Sequence, residues 1–234
     1  MYNSLVVLIF PQWGQETVTR LMGGLWQAIQ QGFETAAQRR ARVRSVAQFR
    51  AFLEGEAAHL AQSATYDYLR ARTGLMGPQL FREKTFLDAL EVTRWEALAA
   101  VLADLMVIAQ NELRPHMADS ADLSVKLEAF YSAALASHPS PSHRPDGWRS
   151  HEAAVMPRLI AARNAPPETA AAVAGHSGEV IFQYLPLHPD VRRLDQEMVV
   201  NNVRFRMIRT WEIFKARVDC AAVAAELAAS GHPV

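Results

Sequence analysis

A chain of 234 residues, half of them apolar, can bury a sizeable core without a disulfide or a metal to hold it together. Because 24 acidic side chains balance 24 basic ones, no overall field draws the protein to nucleic acid, and we expect no nucleic-acid partner. The single cysteine, Cys220, excludes a disulfide framework and a cysteine-based zinc site within the chain.

The apolar run at residues 5–10 is closed by Pro11 and, like the other apolar runs of the chain, is far shorter than the ~20 residues of a membrane-spanning helix. It also lacks the basic flank and the small-residue cleavage site of a secretory signal. The sequence therefore predicts a cytoplasmic protein with no transmembrane segment. Its N-terminal run would pack in its own core or on a partner.

The first helix is predicted to begin near Gln15 and to run towards Arg40, through residues that lose little free energy on entering a helix. The adjacent Gly23 and Gly24 would mark a kink or a close helix crossing in its middle. A basic run follows, made of Arg39, Arg40, Arg42 and Arg44. These cations suit a solvated helix C-terminus, although they could also bind an anionic partner.

Two long helices should form the spine of the fold. Ser45 and Gln48 form a capping box, and Gly74 is a stop signal, so the second helix is predicted at residues 46–72. The third, at residues 86–114, carries an apolar stripe until Pro115. Both helices are about seven turns long, so we expect them to lie side by side.

The rest of the chain is also predicted to be helical, apart from a proline-rich segment at residues 137–147 that would form a surface loop with possible flexibility. Helices are expected at residues 120–136, at 147–163, in a short turn after Pro167, at 179–187 and, capped by Asp190, at 191–219. The last helix has two apolar stripes, which indicates a central position.

These elements predict one all-α domain, residues 1–234, built as a bundle of about six to seven helices. No internal repeat of fixed period breaks the chain into similar units.

The sequence contains no phosphate-binding glycine loop, nucleophile elbow, zinc-protease motif or EF-hand loop. The polar residues on the apolar face of the helix at 46–72 are therefore the informative ones. Glu56 and His59 have the i, i+3 spacing with which metal-binding bundles present two ligands from one helix. Asp67 lies on the same face.

The helix at 86–114 offers further ligands in Glu91 and Glu112, with His116 just beyond its end. These carboxylates and imidazoles would suit a divalent metal such as iron. Alternatively, Glu56 and His59 bond to each other or to arginines such as Arg94. We interpret three histidines in and beside the proline-rich segment, His138, His143 and His151, as loop residues without a particular role.

Two functions follow from these observations. The first is a non-catalytic interaction or assembly protein without a cofactor, whose apolar pieces at residues 5–10 and 180–187 dock on a protein partner or on a second copy of the chain. The alternative is a metal-dependent enzyme of the di-iron type, or a small-ligand binder, with a buried Glu, His and Asp site.

Overall fold

The structure is a computed structural model that describes residues 41–230. The predicted first helix, the apolar run at 5–10 and the first two arginines of the basic run lie outside the described residues. Within 41–230 the chain is helical, without a strand, and the only sheet-like pairing is an isolated parallel bridge between Val43 and Val218. The prediction of an all-α bundle is confirmed.

The helices follow in this order: α1 Val46–Thr73, α2 Gly77–Leu80, α3 Lys84–Leu113, α4 Ser120–Ala136, α5 Arg149–Asn164, α6 Ala170–Val173, α7 Gly175–Tyr184, α8 Pro189–Arg192, α9 Gln196–Arg217 and α10 Cys220–Ala229. Short 3-10 turns at Gly74–Met76 and Arg114–His116 follow α1 and α3.

The helix ends reflect local sequence signals. Ser45 Oγ accepts a hydrogen bond from the Gln48 backbone N–H at 3.2 Å, and the Gln48 side chain accepts one in return from the Ser45 N–H, so the capping box is present. The chain leaves α1 at Gly74, whose φ of 48° lies in the left-handed region that glycine adopts without strain. Predicted and observed bounds of α1 and α3 agree within two residues.

The central element is α3, which packs against α1, α4, α5, α7 and α10. Every residue from 95 to 111 is buried. A helix that is apolar around its whole circumference must be surrounded by others, and the sequence of this stretch meets that condition. The spine formed by α1 and α3 agrees with the predicted pairing of the two long helices.

The last long helix does not occupy the predicted central position. Its start is broken, because α8 ends at Arg192 and α9 begins only at Gln196. Its main contacts are with α1, α6 and α7, and the buried residues lie on the side that faces them. The expectation of a central helix is wrong because only one of the two apolar stripes is covered.

The apolar piece at residues 180–187 lies in α7 and in the turn after it. Ile181 and Leu185 are buried, and Phe182 and Leu187 pack partly buried against the core. This piece therefore contributes to the protein's own core, and it is not the exposed docking element that its sequence suggested. No helix within residues 41–230 combines the length and the apolar character needed to cross a membrane.

Candidate functional site

The residues predicted on α1 as metal ligands lie near the surface. Glu56 is half-buried, whereas His59 and Asp67 are exposed. Asp67 forms an ion pair with α9, in which its Oδ2 lies 2.6 Å from Arg206 Nη2. Asp67 therefore already has a cationic partner.

The candidates on α3 also have protein partners. Glu91 accepts hydrogen bonds from Arg94 Nη1 and Trp95 Nε1, both at 2.7 Å. Glu112 accepts one from Trp211 Nε1 at 2.7 Å.

His116 is exposed in the 3-10 turn after α3. Among residues 41–230, no group of three or more His, Cys, Asp or Glu side chains is arranged to hold a metal ion. The metal hypothesis stays a prediction, which metal analysis of protein purified without a chelator would test.

The structure reveals a different pair of buried carboxylates on α3. Glu96 and Asp104 are 1% and 0% exposed, in a stretch whose other members are almost all apolar. At about 1.5 Å of rise per residue, the two lie ~12 Å apart along the helix. A buried carboxylate without a partner would cost several kcal/mol, so each needs a cation or several hydrogen bonds.

Glu96 receives its partners from the proline-rich segment and from the first turn of α5. Arg144 binds the carboxylate with two atoms, Nε 2.5 Å from Oε1 and Nη2 2.7 Å from Oε2. His143 Nε2 lies 2.8 Å from Oε1, and His151 Nε2 lies 3.1 Å from Oε2. We call these four residues the Glu96 cluster.

The electrostatics of the Glu96 cluster favour the ionised carboxylate. Burial acts to raise the pKa of Glu96, but the hydrogen bonds from His151, Arg144 and His143 together outweigh it and hold the pKa well below its usual value. The paired guanidinium uses lone pairs that a metal would need, and its charge repels a cation. The cluster is therefore suited to fastening the proline-rich segment onto α3.

Aromatic contacts reinforce the same attachment. The ring of Trp148 lies 6.0 Å from that of Trp95 on α3 and 5.5 Å from that of His151. The Arg144 guanidinium lies 5.7 Å from the Trp148 ring centroid. The predicted flexibility of residues 137–147 stays a prediction, and these contacts would oppose it.

Asp104 links three helices. Its Oδ1 lies 2.5 Å from Arg158 Nη2 on α5, and its Oδ2 accepts a hydrogen bond from the Ser177 N–H on α7 at 3.1 Å. Burial raises the pKa of Asp104, against the opposing effects of Arg158 and Ser177. Together, Glu96 and Asp104 attach α5, α7 and the segment before α5 to the central helix.

Sequence reasoning missed both carboxylates. One signal could have revealed them: they are the only charged residues from 95 to 111, a stretch whose mostly apolar composition predicts burial. The interpretation of the loop histidines is wrong for His143 and His151, which lie 47 and 55 residues from Glu96 in sequence and contact it directly.

A second feature lies on the opposite side of α9 from its core contacts. Leu194, Met198 and Phe205 are 82%, 54% and 73% exposed. Met198 and Phe205 are seven residues apart on α9, which places them within about 20° of each other around the helix, and Leu194 lies in the turn just before α9 begins at Gln196. We call these three side chains the outer face of α9. Among residues 41–230, nothing covers most of its apolar surface.

The start of α9 is fixed to α1 through Asp195. Tyr68 Oη donates a hydrogen bond to Asp195 Oδ2 at 2.8 Å, and Arg72 Nε lies 2.9 Å from the same oxygen. Arg72 also donates to the Val191 carbonyl at 2.7 Å. The outer face is therefore presented by an anchored helix.

The fold and these two features define a protein of the all-α helical-bundle class. Comparison of the chain with models of known protein families, with curated proteins and with solved structures finds no match.

Proposed function

We propose that this protein is a non-catalytic helical interaction or assembly protein. It binds a protein partner, or a second copy of itself, through the outer face of α9. The observation that carries the proposal is the exposure of Met198 and Phe205 on one side of α9, which is anchored in the bundle, together with the exposure of Leu194 in the turn before it. A cytoplasmic location is part of the same proposal.

The energetics support this use of the surface. Isolated exposed apolar side chains are common, but two large ones on one helix face, with a third in the turn just before the helix, are the kind of patch that marks an interface. Full burial of such a side chain contributes about 1.5–3 kcal/mol, so the outer face could supply the centre of a contact. Exposed Arg209 and Glu212 lie on the same side of α9 and would form its polar rim.

The Glu96 cluster supports a non-catalytic interpretation. Its carboxylate is neutralised by a bidentate arginine and receives two more contacts from histidines. Such a group stabilises the packing of α5 on α3 and is poorly placed to exchange protons with a substrate. The bundle therefore serves in this proposal as a rigid support for α9.

The test compares the wild-type chain with the Phe205→Glu variant by sedimentation over a range of concentrations, and by mass spectrometry of proteins that co-purify from the native host. We expect the charged residue to weaken association about 10-fold or more, equivalent to ~1.4 kcal/mol.

The matched control is Ile160→Glu, which places the same charge on α5, outside the main contacts of α9; Ile160 is 39% exposed. It should behave as the wild type. Equal mass distributions and equal co-purifying proteins for the wild type and Phe205→Glu would contradict the proposal.

A further inference from the structure

The exposed side of α9 carries charged residues as well as Met198 and Phe205. Five of them are exposed and form no ion pair with another residue of 41–230: Glu197, Arg204, Arg209, Glu212 and Lys215. By contrast, Arg206 on the same helix pairs with Asp67 of α1, with Nη2 2.6 Å from Oδ2. The five charges are therefore open to a molecule that docks on this side of α9.

The order of these charges along α9 is its own complement when the helix is reversed. Glu197 and Lys215 are 18 residues apart, which is five full helical turns, so both point about 80° to one side of Phe205. Arg204 and Glu212 lie on that same side of Phe205, between them along the axis. About 27 Å of helix separates Glu197 from Lys215, so these two cannot pair within one chain.

A second α9, packed antiparallel about a two-fold axis level with residue 207, would bring opposite charges together. Glu197 lies ~15 Å before that level and Lys215 ~12 Å after it, so each glutamate would meet the lysine of the other copy. Arg204, ~4.5 Å before, would likewise meet Glu212, ~7.5 Å after. Because the axis repeats every contact, the two pairs become four.

The apolar residues fit the same arrangement. Phe205 lies only ~3 Å before the level of the axis, so the two Phe205 rings would meet at the centre of the contact. Arg209 of the other copy would lie level with the ring, where a guanidinium is favoured over an aromatic face. Met198 would face Ala216, which is exposed and leaves room for the larger side chain.

We propose that the partner bound by the exposed side of α9 is a second copy of this chain, packed antiparallel through the same helix. The inference rests on the proposed function, because it assigns the occupant of the same surface. The net charge of zero adds no overall repulsion between two copies.

The arrangement is tested with two full-length variants, Glu197→Lys and Lys215→Glu. Each variant places like charges opposite one another in both symmetric contacts, so self-association should weaken about 10-fold or more. An equal mixture of the two variants restores an opposite charge at every contact. The mixture should therefore associate about as strongly as the wild type, although neither variant does so alone.

Sedimentation velocity over a range of concentrations measures association, and circular dichroism confirms that each variant is folded. The matched control is Arg149→Glu, which makes the same exchange of an exposed cation for glutamate on α5, outside the main contacts of α9. It should associate as the wild type does.

The outcomes separate this inference from the proposed function. A wild type that stays monomeric, while Phe205→Glu loses a co-purifying protein, would overturn the second copy and leave the proposed function standing. Self-association that Phe205→Glu weakens but the mixture does not restore would overturn the antiparallel arrangement alone. Association and co-purifying proteins that are unchanged in Phe205→Glu and in both charge variants would overturn both.

Discussion

Arg144 binds the buried Glu96 carboxylate with two nitrogen atoms, Nε at 2.5 Å and Nη2 at 2.7 Å from its two oxygens. The pair joins a loop residue to the centre of α3 across 48 residues of sequence. A buried ion pair contributes little compared with apolar packing, but removal of one partner leaves the other charge uncompensated. Because of this asymmetry, substitution of one partner is a sensitive test of how the proline-rich segment packs on α3.

Glu96→Gln should destabilise the protein by about 3 kcal/mol at neutral pH, because Arg144 loses its counter-charge in a mostly buried position. The pKa of Glu96 is lowered in the folded state, so its stabilising effect is present above the usual glutamate pKa of about 4.3. That effect is lost as the pH falls below this value towards the lowered pKa.

Urea unfolding of the wild type and of Glu96→Gln at pH 7 and at pH 3.5 measures this difference. The difference in the free energy of unfolding between the two proteins should be smaller at pH 3.5 than at pH 7. The exposed Glu83→Gln serves as the control and should change stability by a few tenths of a kcal/mol at most. An equal gap at both pH values would show that the Glu96 charge is not what stabilises the fold.

Gly178 marks the close contact of α7 with α9. A Cβ atom at this position would lie 3.0 Å from Val200 Cα and 3.2 Å from Val200 Cγ1, so the α9 backbone would have to move. Gly178→Ala should therefore destabilise the protein by about 1–3 kcal/mol.

Gly55→Ala is the matched control, because a Cβ atom there meets nothing within 4 Å. In the middle of α1 it should stabilise the protein by up to about 1 kcal/mol through helix propensity. Thermal unfolding followed by circular dichroism measures both changes in stability, the expected loss for Gly178→Ala and the expected gain for Gly55→Ala. A stabilising Gly178→Ala would contradict the close packing of α7 on α9.

Tyr68→Phe tests the anchor at the start of α9. The substitution removes one hydrogen bond to the Asp195 carboxylate and leaves the Arg72 ion pair in place. A hydrogen bond to a charged group contributes about 1.5–3 kcal/mol, and a loss near the lower end is expected because Asp195 keeps a partner. Unchanged stability in urea would show that Arg72 alone holds α9 at this end.

Cys220 should react slowly with alkylating reagents. Burial, together with the Glu112 and Asp219 carboxylates, raises the pKa of its thiol to about 11. Only the thiolate is nucleophilic, so at pH 8 alkylation should be about 100-fold slower than for an ordinary cysteine. The rate of iodoacetamide labelling at pH 8 measures the reactivity of the Cys220 thiol.

Glu112→Gln removes one of the two negative charges and should accelerate the reaction modestly. Labelling of the wild type at the rate of free cysteine would contradict the assignment of Cys220 to packing.

Much of the helical framework could be predicted from the sequence because helix ends depend on neighbouring residues. The capping box of Ser45 and Gln48 and the glycine at 74 define α1 without information from the rest of the chain. The break between α8 and α9 was missed, because Asp195 serves the tertiary contacts with Tyr68 and Arg72 at that point.

The sites were less accessible to sequence reasoning. Glu56 and His59 have a ligand-like spacing on one helix, but the spacing says nothing about what lies opposite them. Glu96 had a visible signal, a charge in an apolar stretch, whereas its partners in the proline-rich segment and α5 had none. A loop of small and polar residues is compatible with many positions, and only packing selects one of them.

The sequence by itself determined the helical class and the approximate bounds of the long helices, because caps, propensity and apolar spacing act over a few residues. The tertiary structure decided that Arg144, His143 and His151 meet Glu96, and that one of the two apolar stripes of α9 faces outwards. Such choices depend on contacts between residues far apart in sequence, where the competing arrangements differ in packing rather than in local preference.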